Sequence, residues 1–143
     1  MDESLTRPDL LVATMHGEDP TATALGIQLT HSESGLVTIT QSVTDQMLNA
    51  SGIVHGGYLF LLADTALAYC CASLGRRSVT RSADICFIAP ARVGDELSAT
   101  AHHRTTHKRN TIIDVSVFAG EHLLAEFRGH GVLVPPAAAP LDE

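Results

Sequence analysis

A single carboxylate, Asp64, lies within an apolar segment that begins with His55, Gly56 and Gly57. Glycines at the start of a helix let a ligand approach the free backbone N–H groups, which polarise a carbonyl or stabilise an oxyanion. A carboxylate in an apolar helix is disfavoured unless it is paired, hydrogen-bonded or functional. The two features together therefore indicate a functional site around residues 55–64. The alternative is that the glycines only allow a tight turn and that Asp64 pairs with an arginine or caps a loop.

The segment that carries Asp64 is apolar on nearly every side, and its pattern predicts one helix over residues 57–74. Such a helix is buried all round, and its length would be about 27 Å at 1.5 Å per residue. Gly75 follows where helix C-termini favour glycine. A membrane span fits poorly because the length is borderline and Asp64 and Thr65 lie near the middle. We therefore expect a central core helix.

Alternating apolar and polar residues on both sides of this helix predict β-strands. The expected strands cover residues 25–31, 36–43, 79–88, 97–107, 111–119 and 123–134. We expect an N-terminal extension with a short helix (1–20), one domain (21–134) and a disordered proline-rich tail (135–143). Helices segregated from consecutive strands indicate the α+β class, with a curved antiparallel sheet wrapped around the central helix. The outer face and edges of that sheet would favour dimerisation.

The composition limits the possible functions of this 143-residue chain. Its net charge of −7 argues against broad nucleic-acid binding, which needs a basic face. Cys70, Cys71 and Cys86 form neither a disulfide framework nor a metal motif. His102, His103 and His107 suggest a metal cluster at first sight, but strand geometry separates them. With no signal peptide recognised, we expect a cytoplasmic protein without metal or cofactor.

Three segments in combination, residues 46–49, 55–57 and 62–69, resemble the signature of hotdog-fold acyl-coenzyme A thioesterases. More narrowly, they are similar to the phenylacetic-acid-degradation thioesterase group. Further matches are residues 92–95, Asp114 and residues 127–129. The resemblance covers roughly residues 20–134. It implies a hotdog fold, a homodimer that assembles into a homotetramer, and active sites at the dimer interface.

The resemblance also implies catalytic roles. Asp64 takes the position of the catalytic carboxylate, as general base or as nucleophile, and Gly56 supplies the N–H that polarises the thioester carbonyl. Asn49 helps to place the attacking water or the acyl group, and His55 supports the loop or the thioester. The implied reaction is hydrolysis of acyl-CoA, with an aryl-acyl group such as hydroxyphenylacetyl as the expected substrate.

Other residues are expected to bind the substrate. Gly57, Thr65, Tyr69 and Pro90 are the candidates near the acyl group. Lys108 and Arg109, in a turn, are the candidates for the CoA phosphates, with a solvated turn as the alternative. Arg128 is a further phosphate candidate or faces water. Ala89 stands where the family often has arginine, so the acyl pocket departs from the usual pattern.

Two competing functions remain open at this point. A hotdog module that binds acyl-CoA without cleaving it is the main alternative, and the retained Asp64 beside the His-Gly-Gly sequence argues against it. A hotdog dehydratase or hydratase needs a different arrangement of histidine and carboxylate. Because one fold hosts several activities, the site has to separate these functions.

Overall fold

The computed structural model describes residues 8–135, in which a six-stranded antiparallel sheet packs against one long helix. The helices are α1 (Pro8–Gly17), α2 (Pro20–Leu25) and α3 (Gly56–Ser73). The strands are β1 (Gln28–Glu33), β2 (Leu36–Ser42), β3 (Ser78–Phe87), β4 (Glu96–His107), β5 (Asn110–Ala119) and β6 (His122–Leu133). The α+β class is confirmed. Residues 1–7 of the expected extension, and residues 136–143 of the expected tail, lie outside the described residues.

The strand order in the sheet is β1-β2-β4-β5-β6-β3. Strands β4, β5 and β6 follow one another as a meander, whereas β3 pairs with β6 and so lies at one edge. The opposite edge is β1. The sequence between β2 and β3 contains α3, so the long helix crosses the sheet from one side to the other.

Helix α3 lies on the inner face of the sheet and supplies much of the core. Its sequence predicts this position because apolar residues surround the helix. Its buried residues are Leu59, Leu62, Ala63, Ala66, Leu67, Tyr69, Cys70, Cys71, Ala72 and Ser73. By length and composition α3 could cross a membrane, but more than half of it is buried inside the fold. It is therefore the core helix of this domain.

The sheet alternates as the sequence predicts. On β5, Ile113, Val115 and Val117 are fully buried under α3, while Asp114 and Ser116 lie on the outer face. On β6, Gly129 lies beneath the helix, and an added Cβ there would clash with the Leu67 side chain. Glycine at this position therefore lets α3 approach the sheet closely.

The N-terminal region differs from the prediction. One short helix was expected within residues 1–20, but Pro20 begins a second helix, α2, where proline suits the first helical turn. Asp19 caps this helix by accepting a 3.0 Å hydrogen bond from the Ala22 N–H. Leu25 belongs to α2 and not to the first strand, which begins at Gln28. The other strand boundaries lie within two residues of the expected ones.

Candidate active site

Backbone hydrogen bonds from two neighbouring segments hold the loop before α3, and they thereby position the start of the helix. The His55 N–H donates to the Met47 carbonyl at 2.9 Å, and the Val54 N–H donates to the Ala91 carbonyl at 2.9 Å. His55 is the exposed N-cap residue, and its side chain makes no capping hydrogen bond. Gly56 and Gly57 begin the first turn, and their N–H groups have no partner within the helix. The helix therefore presents polarising N–H groups at its start.

Asn49 organises this loop through its side-chain oxygen. Oδ1 accepts hydrogen bonds from the Ser51 N–H at 2.8 Å and the Ile53 N–H at 3.3 Å. Among residues 8–135, no acceptor bonds to the Asn49 amide nitrogen. This nitrogen is therefore the side-chain atom that can donate to a bound molecule.

Phe87 covers the start of α3, a role that the sequence analysis did not assign to it. A Cβ added to Gly56 would lie 2.8 Å from Phe87 Cζ, so the ring rests directly against the glycine. Although the ring makes this contact, 52% of Phe87 is exposed. An apolar residue at the end of an alternating strand was visible in the sequence. Its contact with Gly56 depends on the tertiary packing of β3 against the helix.

Asp64 is half-buried on α3 and is held by the edge strand. The Thr80 hydroxyl of β3 donates a 2.7 Å hydrogen bond to Asp64 Oδ1. Thr80 was not among the predicted site residues, because a strand pattern does not show which helical residue a threonine will reach. The neighbouring Thr65 donates its hydroxyl to the Leu61 carbonyl at 2.8 Å, so that hydroxyl is engaged within the helix.

Gly56 and Asp64 lie far apart within one chain. Eight residues separate them along α3, which corresponds to about 12 Å. On β3, Phe87 contacts Gly56 and Thr80 contacts Asp64. These two strand residues are seven positions apart, which corresponds to about 23 Å along an extended strand. A single subunit therefore does not bring its polarising N–H groups and its carboxylate to one point.

Tyr69 lies away from Asp64. Its hydroxyl donates to Asp19 Oδ2 at 2.9 Å and lies 3.1 Å from His16 Nδ1. Burial, together with the Asp19 carboxylate, raises the pKa of the Tyr69 phenol well above its usual range. Helix α1, which carries His16, contacts β1, at the sheet edge opposite to β3. The structure thus gives Tyr69 a contact with the N-terminal helices and does not bring it to the expected acyl site.

Pro90 and the two basic turn residues lie in different surroundings. Pro90 is exposed and precedes Ala91, the residue that holds Val54, so it lies beside the loop that leads to Gly56. Lys108 is in the β4–β5 turn, with a φ of 58°. Arg109 lines a groove of about 440 Å³ together with Thr80. The structure therefore connects Arg109, and not Lys108, with the strand that holds Asp64.

The outer face of the sheet carries an ionic cluster. Arg128 donates to both oxygens of Asp114, at 2.6 and 2.7 Å, and Arg104 Nε donates to Oδ2 at 2.7 Å. The Arg128 hydrogen bond is the main cause that lowers the pKa of Asp114 to about 2. Arg128 is therefore committed to Asp114. Within residues 8–135, no three histidine, cysteine, aspartate or glutamate side chains form a group that could hold a metal ion.

Comparison with known proteins gives consistent matches. The family model described as "Thioesterase superfamily" matches residues 51–126. The acyl-coenzyme A thioesterase PaaI of Escherichia coli K12 is 40% identical over 116 residues, covering 80% of this chain and 83% of that protein.

Solved structures agree with these matches. The structure of the E. coli PaaI protein from the phenylacetic acid degradation operon has a TM-score of 0.87 and 36% identity, covering 92% of this chain and 96% of that one. A Streptococcus mutans protein bound to acetyl CoA has a TM-score of 0.73 and 26% identity, covering 76% of this chain and 88% of that one. The antiparallel sheet around one helix described above is thus the hotdog fold.

Proposed function

The chain belongs to the thioesterase superfamily, and we propose that it hydrolyses acyl-coenzyme A thioesters to free acid and CoA, with aryl-acyl groups as its substrates. The observation that carries this proposal is the pair of groups on α3. One is the helix start at Gly56, with its free N–H groups, and the other is Asp64, whose Oδ1 is held by Thr80. Together they supply the two groups that thioester hydrolysis needs, a polarised carbonyl and an activated water.

The site requires two subunits, because Gly56 and Asp64 lie far apart in one chain. If the β3 strands of two copies pair antiparallel about an axis between Ala83 and Asp84, Thr80 lies opposite Phe87 of the partner subunit. Asp64 of one copy then approaches Gly56 of the partner subunit, and each dimer holds two such sites.

The edge strand supports this arrangement. Within residues 8–135, the outer edge of β3 pairs with no other strand. More than half of each of Val79 and Ile88 is exposed, an unusual surface for large apolar residues at an open edge. Pairing with a second copy would satisfy the open strand edge and cover the exposed apolar side chains. We further propose that two dimers form the homotetramer that the family resemblance implies.

In the proposed reaction, Asp64 acts as a general base in the hydrolysis of the thioester. The thioester oxygen accepts hydrogen bonds from the N–H groups at Gly56, and Asp64 from the other subunit takes a proton from water. The water oxygen attacks the carbonyl carbon, the C–S bond breaks, and the thiolate of CoA receives the proton from Asp64. Asn49, through its free amide nitrogen, helps to orient the acyl group or the water, and His55 and Pro90 frame the loop. Direct attack by Asp64, through a mixed anhydride, is the alternative course.

The aryl preference rests on Phe87. Its half-exposed ring lies against Gly56, so it is next to the position proposed for the thioester carbonyl. An aromatic acyl group gains from edge-to-face or offset packing on such a ring, beyond the area that it buries. The similar E. coli protein comes from a phenylacetic acid degradation operon, which supports the same substrate class.

The test is CoA release from phenylacetyl-CoA, hydroxyphenylacetyl-CoA and straight-chain acyl-CoAs by the wild type and Asp64→Asn. We expect a higher kcat/KM for the aryl substrates and a rate for Asp64→Asn that is lower by two or more orders of magnitude. The control is Glu121→Gln, which makes the same charge change in the exposed β5–β6 turn, away from β3. Binding of acyl-CoA by the wild type without CoA release would favour the non-catalytic module instead.

A further inference from the structure

Phe60 lies on α3 midway between Gly56 and Asp64, about 6 Å from each along the helix axis. Residues four positions apart share one face of a helix. Gly56 and Asp64 both face β3, because each of them contacts a residue of that strand. Phe60 therefore also faces β3. Its side chain packs against the core, but it is only partly buried.

The Phe60 ring is held in place by a second aromatic ring. It makes an edge-to-face contact with Phe127 of β6, with the ring centroids 5.4 Å apart and the ring planes at 77°. Phe127 is itself buried, and it pairs with Ile85 of β3. Aromatic pairs favour this arrangement, and a close-packed core leaves the Phe127 ring little room to shift. Phe60 is therefore a rigid boundary on the β3-facing side of α3.

The surface around Gly56 is polar in one direction along α3 and apolar in the other. The loop before the helix carries Asn49 and the exposed His55. In the opposite direction lie Phe60 and Ile85, which are both partly buried apolar residues. Because an acyl group gains free energy by covering apolar surface, it should extend from the carbonyl at Gly56 toward Phe60.

The proposed dimer places Phe60 between its two sites. Each α3 contributes to both sites, because its Gly56 belongs to one and its Asp64 belongs to the other. Phe60, midway between these residues, limits how far an acyl group can extend from one site toward the other. The spacing of about 6 Å leaves room for a short aryl group, but not for an extended straight chain such as decanoyl.

We propose that Phe60 determines the acyl specificity of the site by closing the inner end of the acyl pocket, so that aryl-acetyl groups fit and long straight chains are excluded. This inference rests on the proposed function, because it concerns the acyl group of the same substrate. Phe60 and Phe87 then have different roles. Phe87 attracts an aromatic group beside the carbonyl, whereas Phe60 rejects a competing acyl group by steric exclusion.

The kinetic test compares kcat/KM for decanoyl-CoA with kcat/KM for phenylacetyl-CoA. We expect the ratio of these two values to rise at least tenfold in Phe60→Ala and about threefold in Phe60→Leu, which retains part of the apolar bulk. If Phe60→Ala does not fold, Phe60→Leu decides alone.

Phe118→Ala is the matched control for this test. It removes the same ring from the outer face of β5, next to the inward-facing Val117, and it should leave the ratio within about twofold of the wild-type ratio. A ratio that is equally unchanged in the folded Phe60 variants would overturn the proposal.

Binding gives a second test that does not depend on hydrolysis. S-decyl-CoA and S-phenethyl-CoA are thioethers that match the two acyl groups in shape and lack the thioester carbonyl. In titration calorimetry, Phe60→Ala should gain at least tenfold in affinity for S-decyl-CoA relative to S-phenethyl-CoA, and Phe60→Leu should change in the same direction.

The two tests separate the role of Phe60 from the proposed hydrolysis. A wild type that binds the thioethers but releases no CoA from acyl-CoA would refute the hydrolysis, and the thioether affinities would still decide the role of Phe60. A wild type that hydrolyses phenylacetyl-CoA, with Phe60 variants of unchanged preference in both tests, would refute the role of Phe60 alone. A wild type that neither binds the thioethers nor releases CoA would refute both.

Discussion

Thr80 Oγ1 donates a 2.7 Å hydrogen bond to Asp64 Oδ1, and this contact joins the central helix to the edge strand β3. The bond fixes one carboxylate oxygen and leaves Oδ2 for a second partner. It also places the carboxylate beside the strand edge at which we propose that the second subunit pairs. The contact therefore links the orientation of Asp64 to the position of β3.

Replacing Thr80 tests whether this hydrogen bond positions the carboxylate. Thr80→Val keeps the shape of the side chain and removes the donor, so we expect kcat for acyl-CoA hydrolysis to fall about tenfold. KM should stay within about twofold, because the hydroxyl does not contact the CoA end of the substrate. Thr80→Ser, which restores the donor, should recover most of the rate. A Thr80→Val variant that keeps the wild-type kcat would show that the hydrogen bond does not position the carboxylate.

Much of the fold follows from local patterns in the sequence. Because α3 carries apolar residues on nearly every side, its burial can be predicted. The alternation of Ile113, Val115 and Val117 predicts which face of β5 packs against it. Helix α2 was missed because Leu25 was assigned to the first strand, although Asp19 before Pro20 is a good N-cap.

The site could be predicted only in part. Gly56 and Asp64 stand out because glycines at a helix start and a carboxylate in an apolar helix are locally unusual. Thr80 and Phe87 do not stand out, since ordinary strand residues acquire their contacts only when β3 packs against α3. Tyr69 is near Asp64 in sequence, but it is directed to α1 and Asp19 because five residues turn the helix to another side.

The three cysteines should differ sharply in reactivity. Cys70 and Cys71 are fully buried. Burial raises the pKa of the Cys70 thiol to about 12, and the neighbouring Cys71 adds a smaller effect. Burial also raises the pKa of Cys71, whereas Cys86 is exposed on β3. Because the thiolate is the reactive form, we expect the folded protein to react at one thiol with an aromatic disulfide reagent at pH 8.

The control for this experiment is Cys86→Ser, which should react slowly when folded and release two equivalents after unfolding in guanidinium chloride. Rapid reaction of two or three thiols in the folded wild type would contradict the buried positions of Cys70 and Cys71. Mass spectrometry of the labelled protein identifies the modified residue.

Gly129 should be essential for the close packing of α3 on the sheet. A Cβ at this position would overlap the buried Leu67 side chain, and the Phe127 ring is also close. We expect Gly129→Ala to lower the free energy of unfolding by about 1–3 kcal/mol, as is usual for overpacking in a core. Denaturant titration at fixed protein concentration measures this change.

Gly17→Ala is the matched control for the packing test. An added Cβ at Gly17 meets nothing within 4 Å, so this variant should unfold within about 0.5 kcal/mol of the wild type, as is typical of surface changes. If Gly129→Ala is as stable as Gly17→Ala, the helix has room that the structure does not give it.

The Asp114 cluster predicts a specific loss of stability in acid. Asp114, whose side chain is 19% exposed, has its pKa lowered from 3.8 to about 2, mainly by the hydrogen bond from Arg128. A carboxyl whose pKa is lower in the folded state stabilises that state above the unfolded pKa, and the effect is lost as the pH falls toward the folded value. Because both arginines are more than half exposed, we expect Asp114→Asn to cost only about 1 kcal/mol at pH 7. Denaturant titrations of the wild type and variant should converge between pH 4 and pH 2. The control variant Glu121→Gln, which changes an exposed turn residue, should show no such convergence. If the difference in the free energy of unfolding between the wild type and Asp114→Asn stays constant over this interval, the ion pairs do not stabilise the fold.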